Sequence, residues 1–416
     1  MTKGFKSIQL DTAKCVGCTN CMKKCPTQAI RVRQGKASIN YDKCISCGNC
    51  VRACPSHAIS AQCDGFDTLG NYKFNVALAP SCLFAQFPHL DDPDLILNGL
   101  YNIGFDHVYE TARASDLLSL IKRETFIMGD CKTPAISTVC PACVELILTK
   151  YQCLKDNLVT HLPPLVLAAK EARAEARELS GLPDSEIGVF YISPCPAKAQ
   201  AIIDGFYSSV PELSGALSVS EVCKRLQKVD KDDVVIKQRL KASSNGIAWS
   251  TSGGEAASFP NTRQLAADGI DNCISILREL EDGKLENIDF VELHACHSGC
   301  VGGVFNVINT FIAKSKIHTL RKTTLLNKTN SCDRLDKPVE YYQDSWEWQT
   351  KDVYKLDSDI TVAMDKMEHL EKVLNCLPRL DCGVCGSPNC RSFAEDVVQG
   401  LVDIKQCVMM RLKNDK

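Results

Sequence analysis

The sequence predicts an α/β protein of several domains, and three features of the chain lead to this prediction. Its length of 416 residues allows two or three domains with a substantial core. From Asn75 onward, short apolar runs alternate with helical stretches, which is the pattern of a parallel α/β domain. Cysteine-rich segments precede and follow this region. We therefore expect the α/β domain to be flanked by two smaller metal-binding domains.

The first predicted domain, residues 1–65, carries a repeated cysteine pattern that ends each time in Cys-Pro. The spacing C-x2-C-x2-C-x3-C is that of bacterial two-cluster ferredoxins, in which the fourth cysteine of each run binds the cluster of the other run. The predicted ligands of the first [4Fe-4S] cluster are Cys15, Cys18, Cys21 and Cys54, and those of the second are Cys44, Cys47, Cys50 and Cys25. Two clusters in series indicate electron transfer.

The second predicted domain, residues 66–345, contains the apolar runs expected to form strands. These runs are residues 74–79, 107–110, 135–139, 188–192, 246–250 and 289–293, and a helix is predicted over 165–179. The polar stretch 329–358 is predicted to be a connector.

Three of the predicted strands end in loops that contain cysteine. Cys140 follows one strand, Cys195 follows another, and Cys296 and Cys300 follow the third. Ligands of open parallel sheets bind outside the carboxyl ends of the strands, so the three loops are expected to converge. Four thiolates in one place could hold one iron-sulfur cubane.

The third predicted domain, residues 346–416, combines helical spacing over 361–374 and 391–405 with four further cysteines. The second helix would return the last cysteine to the other three. These cysteines are Cys382, Cys385, Cys390 and Cys407. We predict that they bind a [4Fe-4S] cluster, and a tetrahedral zinc site is the open alternative. Cys376 is the candidate to replace one of the four as a ligand.

Composition limits the location and the partners. The 25 cysteines occur mostly in metal-type spacings, and the chain begins without an apolar signal segment, which predicts reduced thiols in an anaerobic cytoplasmic setting. A net charge of −2, with 48 basic and 50 acidic residues, does not predict binding to nucleic acid or to an anionic membrane. No apolar run is long enough to span a bilayer.

Taken together, these segments resemble the [FeFe] hydrogenases, and especially the divergent members with a proposed sensory role. The resemblance is carried by residues 138–141, 193–198 and 292–303, with supporting matches at 79–81, 104–106 and 252–255. It implies a two-lobed α/β catalytic domain, preceded by an α+β ferredoxin-like domain and followed by a small helical Fe-S domain.

The resemblance also implies an H-cluster, in which a cubane is joined to a two-iron unit carrying CO, cyanide and azadithiolate. By position, Cys140, Cys195, Cys296 and Cys300 would bind the cubane, and Cys300 would bridge to the two-iron unit. The residues expected to hold that unit are Lys198, Ala79, Pro80, Ser81, Gly253 and Gly254. Dihydrogen would be split there, with electrons leaving through the cubanes.

The sequence departs from the family at the expected proton relay. Valine stands at 139 where active members have cysteine, and Ala201 stands where they have glutamate. Ser193 and His294 replace methionines beside the two-iron unit, and Cys143 replaces a tryptophan. Because valine cannot carry a proton, slow turnover is expected; losing a positioned relay costs about 10² to 10⁴ in rate.

Several groups could substitute for the missing relay. The candidates are Glu255, Glu292, His294, His297 and Cys143. Each also has a structural interpretation, as a buried hydrogen-bond partner or a packing residue.

Three functions remain open from the sequence: a slow hydrogenase, a hydrogen sensor with the same site, and a hydrogenase-like iron-sulfur assembly or electron-transfer protein that lacks the two-iron unit. The expected partners are H2, protons, a redox partner such as ferredoxin, and maturation proteins. A separate signalling output protein and a homodimer are left open.

Overall fold

The computed structural model describes residues 5–88, 90, 92–128, 132–205, 212–259, 261–326, 337–342 and 347–414. The chain divides into two compact units. The large unit comprises Met1–Ser7, Gln62–Ile147 and Tyr151–Gln349. The small unit comprises Ile8–Ala61, Leu148–Lys150 and Thr350–Lys416, so that it joins segments from both ends of the chain.

The strands formed by the described residues are β1 (Ile8–Leu10), β2 (Ile30–Arg33), β3 (Lys36–Ile39), β4 (Ile59–Ala61), β5 (Phe74–Ala79), β6 (His107–Glu110), β7 (Ala135–Ile136), β8 (Ile187–Ser193), β9 (Gly215–Ser218), β10 (Gln264–Asp268) and β11 (Phe290–His294).

The α-helices of the same residues are α1 (Asn20–Lys23), α2 (Asn49–Ala53), α3 (Ser81–Phe84), α4 (Pro93–Gly99), α5 (Thr111–Met128), α6 (Pro141–Lys150), α7 (Pro164–Ser180), α8 (Pro196–Ile203), α9 (Val219–Leu226), α10 (Ser244–Ala248), α11 (Ile270–Glu281), α12 (Thr310–Leu326), α13 (Ile360–Cys376), α14 (Cys390–Val398) and α15 (Val408–Asn414).

The large unit is built on two parallel sheets. One has the strand order β6-β5-β8-β9, and the other has the order β10-β11-β7. Every residue of β8 and β11 is buried, as expected for strands of a parallel sheet that is covered on both faces. Two separate sheets agree with the predicted two-lobed α/β domain.

The small unit contains antiparallel strand pairs and short helices. Strand β1 pairs with β4, and β2 pairs with β3 through a hairpin whose turn residues Gln34 and Gly35 both have positive φ. Helices α13 and α14 pack through a cluster that includes Leu370, Val373 and Phe393.

The strands over 74–79 and 107–110 are confirmed at the predicted bounds, and those over 188–192 and 289–293 are confirmed with slightly different ends. The predicted strand 135–139 is only two residues long, although the Ser137 amide still donates to the Val291 carbonyl. Strands β9 and β10 were not predicted, because their short segments contain no β-branched or aromatic residues.

The predicted strand over 246–250 is wrong. This segment lies in helix α10 and the turn that follows it. The Ser243 hydroxyl accepts hydrogen bonds from the Asn245 and Gly246 amides, and this N-cap begins the helix. A short apolar run does not distinguish a strand from a buried helix, whereas the serine before it favours the helix.

The predicted helix over 165–179 is confirmed as α7, which begins with proline and ends at Gly181 in the left-handed region. The helix predicted over 361–374 is confirmed as α13. Helix α14 ends well before residue 405, because Gly400, at φ 71°, turns the chain. Residues 329–336 and 343–346 of the predicted connector 329–358 lie outside the described residues.

Among the helices of the described residues, none combines the length and apolar character needed to cross a bilayer.

Candidate metal centre

The three cysteine loops of the large unit all follow carboxyl ends of parallel strands. Cys140 and Cys195 are the N-cap residues of α6 and α8, and each is followed by proline as the first helical residue. Proline suits this position because its fixed φ matches the helix and its missing N–H would have no helical partner. The sequence Cys-Pro therefore places each thiol at a strand-to-helix turn.

The second and third loops contact each other through backbone atoms. The Phe305 amide donates to the Pro194 carbonyl at 3.0 Å. A Cβ atom at Gly303 would lie 2.1 Å from that same carbonyl oxygen. Only glycine allows this approach, and it brings the segment after Cys300 against the residue before Cys195.

The first and third loops also meet. The Ala295 amide, next to Cys296, hydrogen-bonds the Cys140 thiol. The charges of Cys140 and Cys300 each influence the ionisation of Cys195. These contacts bring Cys140, Cys195 and Cys300 near one another, and their sharing of one cubane with Cys296 stays a prediction.

The thiols in this group have different ionisation properties. A hydrogen bond from Cys143, aided by His294 and the Ala295 amide, lowers the pKa of Cys140 to about 5 despite burial. Burial raises the pKa of Cys195 to about 12. Burial acts in the same direction on Cys300, but Lys198 and His294 outweigh it and leave its pKa below the ordinary value. The surroundings of Cys140 and Cys300 therefore favour the thiolate, the form that binds metal.

Within the described parts of the chain, no three His, Cys, Asp or Glu side chains converge on a position for a single metal ion. Cubane ligands do not need to converge in this way, because each thiolate binds a different iron atom of the cluster.

A cavity lies beside Cys300. The space in it that the centres of water molecules can occupy is about 40 Å³. Its lining includes the predicted residues Pro80, Ser81, Lys198 and Cys300, together with Val139. The further lining residues are Cys82, Thr111, Ser115, Pro163, Pro164, Leu165, Tyr191, Gly246, Trp249 and Ser250.

Lys198 is buried at the wall of this cavity. Its Nζ lies 3.4 Å from the Cys300 Sγ and 3.4 Å from the Tyr191 hydroxyl. Burial lowers the pKa of this lysine, but the charges of Cys300, Tyr191 and Cys195 outweigh it and hold the pKa well above the ordinary value. A buried ammonium group therefore faces the cavity.

The other predicted binding residues fall into two groups. Ala79 ends β5 and directly precedes the cavity residues Pro80 and Ser81. Gly253 and Gly254 are not among the cavity-lining residues. The Gly253 amide donates to the Glu292 carboxylate at 3.0 Å, and the Gly254 backbone packs against the Ala248 carbonyl.

Glu255 is buried and paired. Its carboxylate accepts a hydrogen bond from the Lys122 ammonium and another from the Ser137 hydroxyl. The side chains of Lys122 and Glu255 are 3% and 1% exposed. The Ser137 oxygen also accepts a hydrogen bond from the Val139 amide at 3.3 Å. These hydrogen bonds therefore connect Glu255, through Ser137, to the backbone of Val139.

Glu292 and His294 form a second buried pair. The His294 Nε2 lies 2.7 Å from the Glu292 Oε1, and the same ring hydrogen-bonds Cys300. Burial lowers the pKa of His294, but the bonds to Cys300 and Glu292 outweigh it and raise the pKa well above its usual range. The carboxylate also accepts from the Ala256 amide at 2.7 Å.

Three more predicted residues have distinct positions. The Cys143 thiol is buried and hydrogen-bonds both Cys140 and Cys273. The Ser193 hydroxyl donates to the Cys195 carbonyl at 2.8 Å and so fixes the second loop. His297 is 72% exposed and lies 3.6 Å from Asp268, which separates it from the buried pairs.

Sequence reasoning missed Lys122, Trp249 and His161. Lys122 pairs with a residue 133 positions away, and Trp249 lies in the segment predicted to be a strand. His161 is buried, and neither ring nitrogen has a hydrogen-bond partner among the described residues. The sequence His161-Leu-Pro-Pro gives no signal for that position beyond a turn before a helix.

The N-terminal thiols of the small unit lie in two groups. Burial raises the pKa of Cys21 to about 11, and Cys18, Cys54 and Cys15 act on it as neighbouring charges. For Cys47, burial again raises the pKa, and the neighbouring thiols are those of Cys25, Cys50 and Cys44. The fourth cysteine of each run therefore lies with the other run.

In the C-terminal segment, Cys385 lies near Cys407 and Cys382. The Cys390 amide, at the start of α14, donates to Asp381 at 2.7 Å. Cys376 is exposed at the end of α13.

Three segments of the chain match models of protein families. The model of the "iron only hydrogenase large subunit, C-terminal domain" matches residues 73–262 and 212–304, which together exceed half of the chain. The chain belongs to the iron-only hydrogenase family. Its N-terminal part matches a 4Fe-4S dicluster domain over residues 7–55, and residues 377–409 match an Fe-S cluster model.

Two curated proteins give partial matches to this hydrogenase-family chain. The chain is 24% identical over 257 residues to the NADP-reducing hydrogenase subunit HndD of Solidesulfovibrio fructosivorans, with 49% of this chain and 44% of that protein aligned. It is 49% identical over 37 residues to a component of the ion-translocating oxidoreductase complex of Thiobacillus denitrificans, covering 9% and 20% of the two chains. The chain thus spans less than half the length of these relatives.

Solved [FeFe]-hydrogenase structures share the fold. HydA1 from Chlamydomonas reinhardtii aligns with a TM-score of 0.51 at 14% identity, over 69% of this chain and 98% of that one. A structure from work on oxygen inactivation of an [FeFe] hydrogenase gives a TM-score of 0.50 at 13% identity, with the same coverage. The predicted fold class is confirmed.

Proposed function

We propose that this protein splits or senses dihydrogen at an H-cluster held in the large unit, and that [4Fe-4S] clusters in the small unit exchange electrons with it. The observation that carries the proposal is the convergence of three cysteine loops beside a cavity that contains a buried ammonium group. Iron-sulfur chemistry alone would not require that cavity or that charge.

The donor set fits the proposed group. Cys140, Cys195, Cys296 and Cys300 would hold the cubane, and Cys300, which faces the cavity, would join it to the two-iron unit. When bound, this unit supplies the heterolytic cleavage of dihydrogen, and that chemistry belongs mainly to the cofactor.

The protein would contribute a shaped cavity and fixed charge. The Lys198 ammonium is positioned to donate charge-assisted hydrogen bonds to an anionic ligand, and these are stronger where water is excluded. Pro80 and Ser81 form another part of the cavity wall, with one apolar surface and one hydroxyl. Position and electrostatics are therefore the roles of the chain.

Among the candidate proton carriers, Glu255 is the best placed. Its hydrogen bond from Ser137 leads to the backbone of Val139, and Val139 lines the cavity. The valine side chain interrupts this route, because it can neither donate nor accept a proton. We therefore expect slow turnover. The Glu292–His294 pair is a second route, since His294 contacts Cys300.

Slow turnover suits a sensor as well as an enzyme, because a sensor can report the redox state of its clusters without processing much gas. In that role a separate output protein would read the state of the small unit. A low-potential one-electron carrier such as ferredoxin is the proposed redox partner for either role.

The decisive experiment is infrared spectroscopy of the anaerobic protein after loading with the two-iron unit. We expect CO and cyanide stretching bands for the native sequence. We expect weak or absent bands for Lys198→Met, since the anionic ligands would then face an apolar wall. The exposed Lys224→Met variant is the control and should load like the native protein.

Cubane signals without any CO or cyanide bands in the native protein would contradict the proposal. That result would instead support the alternative of an iron-sulfur assembly or electron-transfer protein without a two-iron unit.

A further inference from the structure

The C-terminal cysteine module lies against the N-terminal cysteine repeat within the small unit. Strand β2 uses one edge to pair with β3, and the Val32 amide donates to the Gly386 carbonyl at 2.9 Å. Gly386 has φ 83°, and a Cβ atom there would lie 1.9 Å from the Val32 carbonyl oxygen. Glycine is therefore required at this backbone-to-backbone contact.

A buried ion-pair network fastens the same contact. Arg31 binds both carboxylate oxygens of Asp396, with its Nε at 2.7 Å and its Nη2 at 3.1 Å. The Arg33 Nη2 donates to the same carboxylate at 2.6 Å, and the Ser387 hydroxyl donates at 2.8 Å. The Arg31 and Asp396 side chains are 13% and 8% exposed. Bidentate geometry at a buried site fixes both position and orientation.

The network places two predicted cluster-binding loops next to each other. Gly383 lies between Cys382 and Cys385, and a Cβ atom there would be 3.2 Å from the Met22 Cε. Met22 is fully buried and directly follows Cys21. The loop that would bind the C-terminal cluster therefore touches the helix that carries a ligand of the first N-terminal cluster.

We propose that these two cysteine sets form one electron-transfer junction, in which the cluster at Cys382, Cys385, Cys390 and Cys407 exchanges electrons directly with the cluster at Cys15, Cys18, Cys21 and Cys54. One electron passes at a time, so one cluster is oxidised as the other is reduced, and no proton moves. A low-potential one-electron carrier supplies or removes the electron.

The junction rests on the proposed iron-sulfur clusters but not on the proposed hydrogen chemistry. It is therefore tested on the full chain reconstituted with iron and sulfide only, without the two-iron unit. Failure of the hydrogen assignment leaves this test unchanged.

The measurement is electron paramagnetic resonance of the fully reduced protein. Neighbouring reduced clusters broaden each other's signals and speed their relaxation. We expect the N-terminal signals to sharpen and relax more slowly in Cys385→Ser/Cys390→Ser, which lacks the C-terminal cluster. N-terminal signals that are identical with and without that cluster would overturn the proposal.

Two further variants test the contact itself. In Asp396→Asn and Gly386→Ala we expect the same sharpening, with the iron content of each variant unchanged. The control is Glu395→Gln, the neighbouring carboxylate on α14, which lies 3.8 Å from Arg391 of its own helix. Its spectrum should match that of the native protein. Unaltered coupling in both contact variants at full iron content would show that the network does not hold the clusters together.

Discussion

At the scale of the residue, Val139 separates two polar regions of the large unit. Its side chain lines the cavity beside Cys300, and its amide donates to the Ser137 hydroxyl, which in turn donates to Glu255. The sequence predicted the missing relay at this position. It did not predict that a buried acid would lie immediately behind it, because Ser137 and Glu255 are 118 positions apart.

Replacing Val139 by cysteine should raise the rate of hydrogen turnover. Val139 lines the cavity, so a thiol at this position would add a proton carrier to the cavity wall. We expect an increase of at least about tenfold, since a positioned proton-transfer group contributes about 10² to 10⁴. Hydrogen oxidation by the loaded protein, scaled to the CO band intensity, measures the effect.

The control for this variant is Val139→Ala, which removes bulk without adding a proton carrier. Equal rates for the cysteine variant and the native protein, at equal loading, would show that proton transfer at this position does not limit turnover.

Glu255 has both a structural and a relay interpretation, and a pair of variants separates them. Glu255→Gln leaves the Lys122 charge buried without its carboxylate, which typically costs about 3–5 kcal/mol in stability. Lys122→Met/Glu255→Gln removes both charges and should recover most of that stability. Thermal unfolding under anaerobic conditions measures this difference.

Turnover of the same double variant in the Val139→Cys background then isolates the relay role. If Glu255 carries protons once a thiol completes the route, these two substitutions should abolish the gain of at least about tenfold made by Val139→Cys, even though the fold is intact. A hydrogen-oxidation rate equal to that of Val139→Cys alone would assign the pair to structure and leave the Glu292–His294 route.

At the scale of the element, the loops depend on glycine contacts with carbonyl oxygens. A Cβ atom would lie 2.1 Å from His297 O at Gly302 and 2.1 Å from Pro194 O at Gly303. Each close contact is between two backbone segments, so an added methyl group would displace one of the loops.

Gly303→Ala should therefore separate the second and third cysteine loops. We expect loss of cubane from the large unit and loss of CO and cyanide bands, while the clusters of the small unit remain. Iron content and infrared spectra check this. The control is Gly283→Ala: that glycine also has a positive φ, 70°, but no atom lies within 4 Å of its built Cβ. Full loading of the Gly303 variant would contradict the argument.

The elements show how far sequence patterns reach. Strand β8 and helix α7 could be predicted because their apolar residues follow one clear pattern. Helix α10 could not, since its five residues are too few for a period to appear, and its Gly246 amide donates both to the N-cap Ser243 and to the distant Asp116. Short elements are specified by tertiary contacts.

At the scale of the whole molecule, His161 links stability to pH. Burial, together with the nearby Lys122 charge, lowers the pKa of His161 to about 4. Between the ordinary value near 6.5 and this value, the unfolded chain binds a proton that the folded chain excludes. The free energy of unfolding therefore falls as the pH decreases through this range.

From pH 7 to pH 5 this histidine should remove about 2 kcal/mol of stability. His161→Gln cannot be protonated, so its melting temperature should fall less than that of the native protein over the same interval. The exposed His318→Gln serves as control. An equal fall in the native and His161 variants would exclude this linkage. Anaerobic thermal unfolding at both pH values provides the measurement.

The whole molecule also marks the limit of sequence reasoning. Cysteine spacing is enough for a prediction of the N-terminal ligand sets, because the ferredoxin pattern is local and repeated. It did not predict that Arg31 and Asp396, 365 positions apart, would join both ends of the chain in one compact unit. Nothing in a local pattern records such a pairing, and the predicted boundaries 1–65, 66–345 and 346–416 stay a prediction.

The glycine contacts also bear on how such a protein changes over evolutionary time. A cavity whose surrounding loops contact each other through backbone atoms keeps its shape when most of the neighbouring side chains are replaced. Few positions are then constrained by size, and those few must stay without a side chain. We therefore expect glycine at positions 302 and 303 to persist in sequences that keep this fold at identities as low as 13% and 14%.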